Sequence, residues 1–175
     1  MIIRNAEKKD KRAIEHIFDL YWSDSFRGNL SQKIDGYLTQ SPEIVKQNFE
    51  FIVAEQDGEV VGVAAYRDAP EHMKEFTCTE NTAEFYVAAV KEKGKGVGTK
   101  LRSERINVLK EKGYTEIIFF SGETHKDSWP FHDNSDFVRV GDTIAPNAER
   151  GHVWRLELKW VLTSSQTASK TEQSK

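Results

Sequence analysis

The chain has 175 residues, of which 38% are hydrophobic, 11% aromatic and 30% charged, with a formal net charge of −3. This composition excludes collagen, a coiled coil and wholesale disorder, and the slightly acidic balance argues against a nucleic-acid partner. The single cysteine, Cys78, excludes an intramolecular disulfide and a cysteine-rich zinc site. We find neither a membrane-length apolar segment nor a signal-peptide core, so we expect a cytoplasmic protein without a membrane partner.

The length fits one compact domain, which we place at residues 1–162. Residues 163–175 (TSSQTASKTEQSK) contain one Ala and no larger apolar side chain. Such a segment buries too little surface to offset the entropy of ordering. We therefore expect a polar, flexible C-terminal tail.

Apolar spacing and turn residues define the elements of the first half of the chain. Ile14, Ile17, Phe18 and Tyr21 recur at the spacing of an amphipathic helix, and Asp57-Gly58 is a hairpin signal. In chain order we expect a strand at 2–4, a helix at 8–23, one or two short helices within 29–48 broken near Pro42, hairpin strands at 51–54 and 60–66, a polar loop at 67–81 and a strand at 84–88.

The second half begins with a glycine-rich turn and a helix from Val97 to Lys112 that ends at Gly113. We then expect a buried strand at 117–120, a short helix or turn at 126–134, a strand at 137–140 and a last strand at 154–160, where apolar and polar residues alternate. The order βααβββαβαββ predicts an α/β fold, in which a single mixed sheet carries helices on both faces.

The glycine-rich turn is the segment that points most directly to a ligand. Small residues there let successive backbone N–H groups converge at a helix N-terminus, which suits a phosphate or pyrophosphate. A P-loop needs Ser or Thr after Gly94-Lys95, and a dinucleotide fingerprint needs a third glycine after Gly96 and Gly98, so neither pattern fits. The candidate binding residues are Lys93, Gly94, Lys95, Gly96, Val97, Gly98 and Thr99.

This turn resembles the pyrophosphate loop of the GNAT superfamily of acyl-CoA-dependent N-acetyltransferases, [Gln/Arg]-x-x-Gly-x-[Gly/Ala]. Only the first position differs, where Lys93 stands. The strand before the loop and the helix after it have the family's order and spacing, and the resemblance covers about residues 1 to 160. It implies a sheet of about six or seven strands that splays at its centre into a cleft for acetyl-CoA as cosubstrate, with no metal.

The resemblance also implies roles for the strand before the loop. Backbone groups of Tyr86, Val87 and Ala88 would bind the pantetheine arm and lie near the acetyl carbonyl. Glu84 is the candidate general base, although the family's Glu position falls by count on Thr82. Because successive side chains of a strand point to opposite faces, we expect one face to carry Thr82, Glu84, Tyr86 and Ala88. Glu84 is equally well explained as an exposed carboxylate at a strand end.

The position at which the family places a leaving-group tyrosine falls by count on His132. An imidazole with an ordinary pKa near 6.5 is a competent acid, so His132 can replace the phenol. Alternatively the proton comes from water, or the activity is lost. His132, His125, Asp127 and Asp133 match no common metal-site spacing.

We therefore expect an enzyme that moves an acetyl group from acetyl-CoA to a primary amine by direct attack. The alternatives are a non-catalytic acyl-CoA-binding or regulatory module and a nucleotide-phosphate binder. The acceptor amine and a homodimeric state are left open. Tyr21, Trp22, Phe26 and Tyr37 are explained by core packing or by an aromatic cage for a cationic amine.

Overall fold

The computed structural model describes residues 1–159, apart from the side chains of Asp24 and Ser25. The expected tail at 163–175, the expected domain end at 162 and the residue Trp160 lie outside this range. Its strands are β1 (Ile2–Asn5), β2 (Glu50–Gln56), β3 (Glu59–Asp68), β4 (Thr82–Val90), β5 (Glu116–Gly122), β6 (Val138–Ile144) and β7 (Arg150–Glu157). Its α-helices are α1 (Lys11–Asp19), α2 (Asp24–Thr39), α3 (Pro42–Lys46), α4 (Val97–Glu111) and α5 (Trp129–Asp133).

The strands form one seven-stranded sheet in the order β1-β2-β3-β4-β5-β7-β6. Only the central β4–β5 pair is parallel, and the other neighbours are antiparallel. Helices α1 and α2 bury Ile14, Ile17 and Ile34 against one face, while α4 buries Leu101 and Leu109 against the other. The expected mixed α/β sheet with helices on both faces is confirmed.

Helix α4 reaches β3 closely at its first turn because β3 carries a glycine there. A Cβ on Gly62 would lie 2.7 Å from Val97 Cγ1 and 3.0 Å from Leu101 Cδ1, closer than packed carbons approach. Gly62 therefore sets the position of the N-terminal end of α4, and with it the glycine-rich turn at residues 93–96.

Several expected boundaries are wrong. The first helix is shorter than 8–23, because a 3-10 turn occupies Lys8–Asp10 and α1 ends at Asp19. Helix α2 begins at Asp24 rather than near 29, and the last strand begins at Arg150 rather than 154. The early residues of β7 are strand because they pair with β5 and β6, for example Gly151 with Gly122. Such long-range pairing is not visible in the local pattern.

The loop expected at 67–81 is also more ordered than its polar composition indicates. Strand β3 continues to Asp68, and a 3-10 helix covers Glu71–Phe76. Met73 anchors this helix, because its fully buried side chain packs with Ile118 and Val153. Among residues 1–159 no helix is long and apolar enough to cross a membrane.

Candidate functional site

Strands β4 and β5 separate after three paired positions. They pair only at Thr82–Glu116, Ala83–Ile117 and Glu84–Ile118, although both strands continue well beyond. Within residues 1–159, no strand therefore neighbours residues 85–90 of β4 on this side, and they present an open edge. We call the opening between this edge and the distal half of β5 the β4–β5 split. An open edge of this kind offers backbone groups to an extended ligand.

A β-bulge lies at the start of the split. Ala65 of β3 pairs with Val87 and Tyr66 with Phe85, so Tyr86 is the extra residue in β4. A bulge shifts the facing of every later side chain by one. Phe85 packs in the α4-side core, whereas Tyr86 and Val87 both pack against the α1–α2 side. We expected Ala88 to share one face of β4 with Glu84 and Tyr86. This expectation is wrong, because the bulge places Ala88 on the opposite face.

The ladder between β3 and β4 shows which backbone groups face the split. The Lys91 N–H donates to Val61 O at 2.8 Å, and hydrogen-bonded pairs alternate along an antiparallel ladder. The backbone N–H and C=O of Val87 therefore face Ala65 of β3, whereas the backbone N–H and C=O of Ala88 face the split. Ala88 is also exposed. Of the three residues expected to bind pantetheine, Ala88 has its backbone at the open edge.

The glycine-rich turn lies at one end of the split, between β4 and α4. Gly94 and Gly96 adopt φ values of 78° and 76°, which favour glycine, and Gly96 is the N-cap residue of α4. No side chain caps this helix and its first turn contains no acidic residue. Its first N–H groups are therefore available to an anion, and the helix dipole favours negative charge there.

Lysine side chains border the turn. The ammonium of Lys93 lies 5.5 Å from the ring centroid of Tyr21, and Lys95 is exposed. The Tyr21 hydroxyl donates to Val90 O at 2.8 Å, which ties the end of α1 to the end of β4. The Tyr21 ring thereby holds the Lys93 ammonium beside the turn, and its hydroxyl binds the carbonyl of Val90, the last residue of β4.

Glu84 lies on the α1–α2 side of β4, at the last paired position before the split. Its carboxylate is buried and accepts a hydrogen bond of 2.5 Å from Arg67 Nε. Burial raises the pKa of Glu84 above its ordinary value, while the charge and hydrogen bond of Arg67 and the nearby His72 oppose that rise. A raised pKa makes the carboxylate a stronger base and brings its pKa closer to the operating pH, as a general base requires.

Arg67 was not singled out by the sequence, yet it connects Glu84 to the neighbouring aromatic residues. Its guanidinium lies 4.8 Å from the Tyr86 ring centroid and donates to Gln47 Oε1 at 2.9 Å. Thr82, the alternative position for the base, donates instead to Glu116 Oε1 at 2.9 Å within a buried network. Glu84 is thus the carboxylate that the fold brings to the edge of the split.

His132 lies on α5, on the same side of the sheet as α4. Its ring is 4.7 Å from the Phe119 centroid and 5.2 Å from that of Trp154. Its Nε2 is 3.2 Å from Ser128 Oγ, which in turn is 3.4 Å from Ser121 Oγ on β5. Burial lowers the pKa of His132 to about 4, with Asp133 opposing and Arg102 reinforcing the shift. The expected imidazolium with a pKa near 6.5 is therefore absent near neutral pH.

This shift has a consequence for stability that can be measured. Because the folded pKa of His132 lies below its unfolded value near 6.5, the unfolded chain binds the extra proton as the pH falls through 6.5 toward 4. We expect the free energy of unfolding to fall by about 1 kcal/mol between pH 7.5 and pH 5 from this residue, less than the full shift gives because the ring is partly exposed and water screens its charge. Urea titrations of wild type and His132→Phe measure it, and equal pH dependence in both proteins would contradict the assignment.

The remaining candidate clusters separate in the fold. His125 accepts a 3.1 Å hydrogen bond from Trp22 Nε1, and Asp133 binds Trp154 and Arg139. Within residues 1–159 no group of three or more His, Cys, Asp or Glu side chains is placed to hold a metal ion. Trp22 and Phe26 contact each other and pack against the core on the α1–α2 side of the sheet. Trp22 also contacts the segment after β5, because its Nε1 donates to His125. The Trp22–His125 hydrogen bond thus joins the two sides of the β4–β5 split.

Comparison with known proteins agrees with this arrangement. The family model for the acetyltransferase (GNAT) family matches residues 12–137. No curated protein sequence matches the chain. Many solved structures share the fold, including a GNAT-family protein from Desulfovibrio desulfuricans, with a TM-score of 0.75 at 17% identity over 90% of this chain and 99% of that one.

Two further structures carry more specific descriptions. An N-acetyltransferase from Staphylococcus aureus Mu50 has a TM-score of 0.67 at 21% identity, covering 90% of this chain and 98% of its own. PaiA N-acetyltransferase from Thermoplasma acidophilum, in complex with coenzyme A, has a TM-score of 0.62 at 14% identity over 89% and 98% of the two chains. At these identities the likeness establishes the fold.

Proposed function

Because the chain belongs to the GNAT acetyltransferase family, we propose that it transfers an acetyl group from acetyl-CoA to a primary amine. The observation that carries the proposal is the β4–β5 split, which has the glycine-rich turn at one end and Glu84 at the other. The N-acetyltransferase and coenzyme A complex among the structural neighbours support the choice of donor and acceptor.

The donor fits the α4 side of the sheet. The pyrophosphate would accept hydrogen bonds from the first N–H groups of α4, where Gly94, Gly96 and Gly98 leave the backbone uncovered. The pantetheine arm would lie along the open edge of β4, and the Ala88 N–H would donate to it or to the acetyl oxygen. Stabilising that oxygen as it gains negative charge lowers the barrier to attack.

The acceptor fits the opposite side, where Glu84 lies. The amine nitrogen would attack the acetyl carbon while Glu84, directly or through a water molecule, takes the amine proton. Collapse of the tetrahedral adduct breaks the C–S bond and forms the amide, so that CoA leaves as a thiolate. The thiolate then takes its proton from solvent; the neutral His132 imidazole can donate a hydrogen bond to the sulfur, but its N–H is too weak an acid to give up the proton. No covalent enzyme intermediate is required, and the exposed Cys78 has no part in this scheme.

Two measurements test the proposal. Calorimetry should show acetyl-CoA binding at a single site, with no comparable affinity for ATP. Thiol release should then rise above the rate without acceptor for at least one member of a panel of polyamines, amino acids, lysine peptides, N-terminal peptides and aminoglycosides. Tight CoA binding without thiol release for any amine would favour the non-catalytic acyl-CoA-binding module, and binding of ATP alone would reject both.

A further inference from the structure

Helix α4 buries an arginine whose charge has no acidic partner. Arg105 is only 4% exposed, and none of the salt bridges found within residues 1–159 involves it. Burial lowers its pKa to about 9, with Arg102 adding repulsion, so it is still a cation near neutral pH. An unpaired buried charge is costly, and a fold rarely contains one without compensating contacts.

The contacts that Arg105 makes lie at the bulge of β4. Its Nη1 donates to Ala65 O at 3.2 Å and to Val87 O at 3.3 Å, which are the two carbonyls of the pair beside the bulge. Its guanidinium carbon lies 3.8 Å from the centroid of Phe85, and its buried Nε has no hydrogen-bond partner. The charge is thus held against the backbone at the start of the β4–β5 split.

The peptide bond links this charge to the split. The carbonyl of Val87 and the N–H of Ala88 belong to one planar peptide group and point in opposite directions. Arg105 binds the carbonyl end, and the N–H end faces the split. A cation bound to the oxygen draws electron density through the amide, so the N–H becomes a stronger donor.

We propose that Arg105 is a positioning residue that polarises the Val87–Ala88 peptide, so that the Ala88 N–H binds the acetyl carbonyl oxygen of the donor more strongly. This inference rests on the proposed function, since it concerns the same acetyl group. It adds a residue outside the glycine-rich turn and the candidate base. It also accounts for a buried cation where α4 otherwise presents apolar residues to the sheet, such as Leu101 and Leu109.

The test compares Arg105→Met, which removes the charge but keeps length, with Arg105→Lys, which keeps one charge. Lys110→Met is the control, because it removes a positive charge from the same helix at a residue outside its buried face. We expect Arg105→Met to lower kcat/KM about fivefold, since hydrogen-bond chains strengthen by roughly 10–30% and a whole oxyanion donor is worth about 10²–10³. Arg105→Lys should lose less, and Lys110→Met should match wild type.

Infrared spectra of bound acetyl-CoA, ¹³C-labelled at the carbonyl, measure the frequency of the thioester C=O stretch. A purely structural role of Arg105 would leave this frequency unchanged. We expect the wild-type protein to shift the thioester C=O stretch to lower frequency, and Arg105→Met to reduce that shift. Thermal unfolding should show Arg105→Met as stable as wild type or more so, because the replaced charge was desolvated and unpaired.

The possible results distinguish a failure of the role given to Arg105 from a failure of the proposed function. Unchanged C=O stretch and unchanged kcat/KM in a folded Arg105→Met protein would overturn the role of Arg105 and leave the proposed function intact. Should Arg105→Met not fold, an Arg105→Gln protein, which also lacks the charge, with the wild-type stretch and the wild-type rate would overturn it equally. Failure of wild type to bind acetyl-CoA in calorimetry would instead overturn the proposed function, and this inference with it.

Discussion

Replacing Glu84 by Gln is expected to lower kcat about 10²-fold, within the range that general bases contribute. The variant keeps the shape of the side chain but cannot take the amine proton. Because the base works in its ionised form, wild-type kcat/KM should rise with pH through the raised pKa of Glu84. Glu84→Gln should lack this acidic limb. Steady-state rates across the acidic pH range, with the best amine of the panel, measure both effects.

Glu116→Gln is the matched control for removing a buried carboxylate. Glu116 is 2% exposed and paired with Arg155, but it lies at the paired end of β4 and β5, before the split. Its loss should reduce stability, since Gln gives up the ion pair with Arg155 and leaves one oxygen to accept from Cys78 N and Thr82, while kcat per folded molecule stays near wild type. Turnover of Glu84→Gln within twofold of wild type, with the same acidic limb, would show that the amine loses its proton to water.

Replacing Gly96 by Asp is expected to weaken acetyl-CoA binding at least about tenfold, or about 1.4 kcal/mol. The Asp places a negative charge at the N-terminus of α4, where the phosphates would bind, and forces a side chain into a φ of 76°. Gly96→Asn has nearly the same shape and strain without the charge, so it should lose less affinity. Calorimetry with CoA and acetyl-CoA measures each loss.

Gly113→Asp separates backbone strain from the loss of the phosphate site. Gly113 has a φ of 88° and, like Gly96, has no heavy atom within 4 Å of an added Cβ. Both Asp variants should therefore pay a similar conformational penalty, of roughly 1–2 kcal/mol, but only Gly96→Asp should lose CoA affinity. Equal affinities for the two folded variants would show that the glycine-rich turn does not bind the phosphates.

Features that depend on neighbouring residues were predictable from the chain. The Asp57-Gly58 hairpin, the helix that ends at Gly113 and the turn at 93–99 are local, because turn chemistry and helix periodicity act within a few positions. The strand, glycine-rich turn and helix in this order also identified the family, which the match over residues 12–137 shows. For the same reason, the seven strands and the order of the main elements followed from local patterns, although α2 is longer than expected and α3 is a separate helix.

Only the tertiary structure decided how the site is arranged, because its contacts join distant residues. The partner of Glu84 is Arg67, 17 residues away, and Trp22 meets His125 across 103 residues. The bulge at Tyr86 exists through pairing with β3 and turns Ala88 to the other face. Burial by β5 and β7 aromatic rings gives His132 its low pKa, and burial against the bulge leaves Arg105 charged without an acidic partner. Local sequence carries the elements, whereas desolvation and long-range pairing set the chemistry of the residues they bring together.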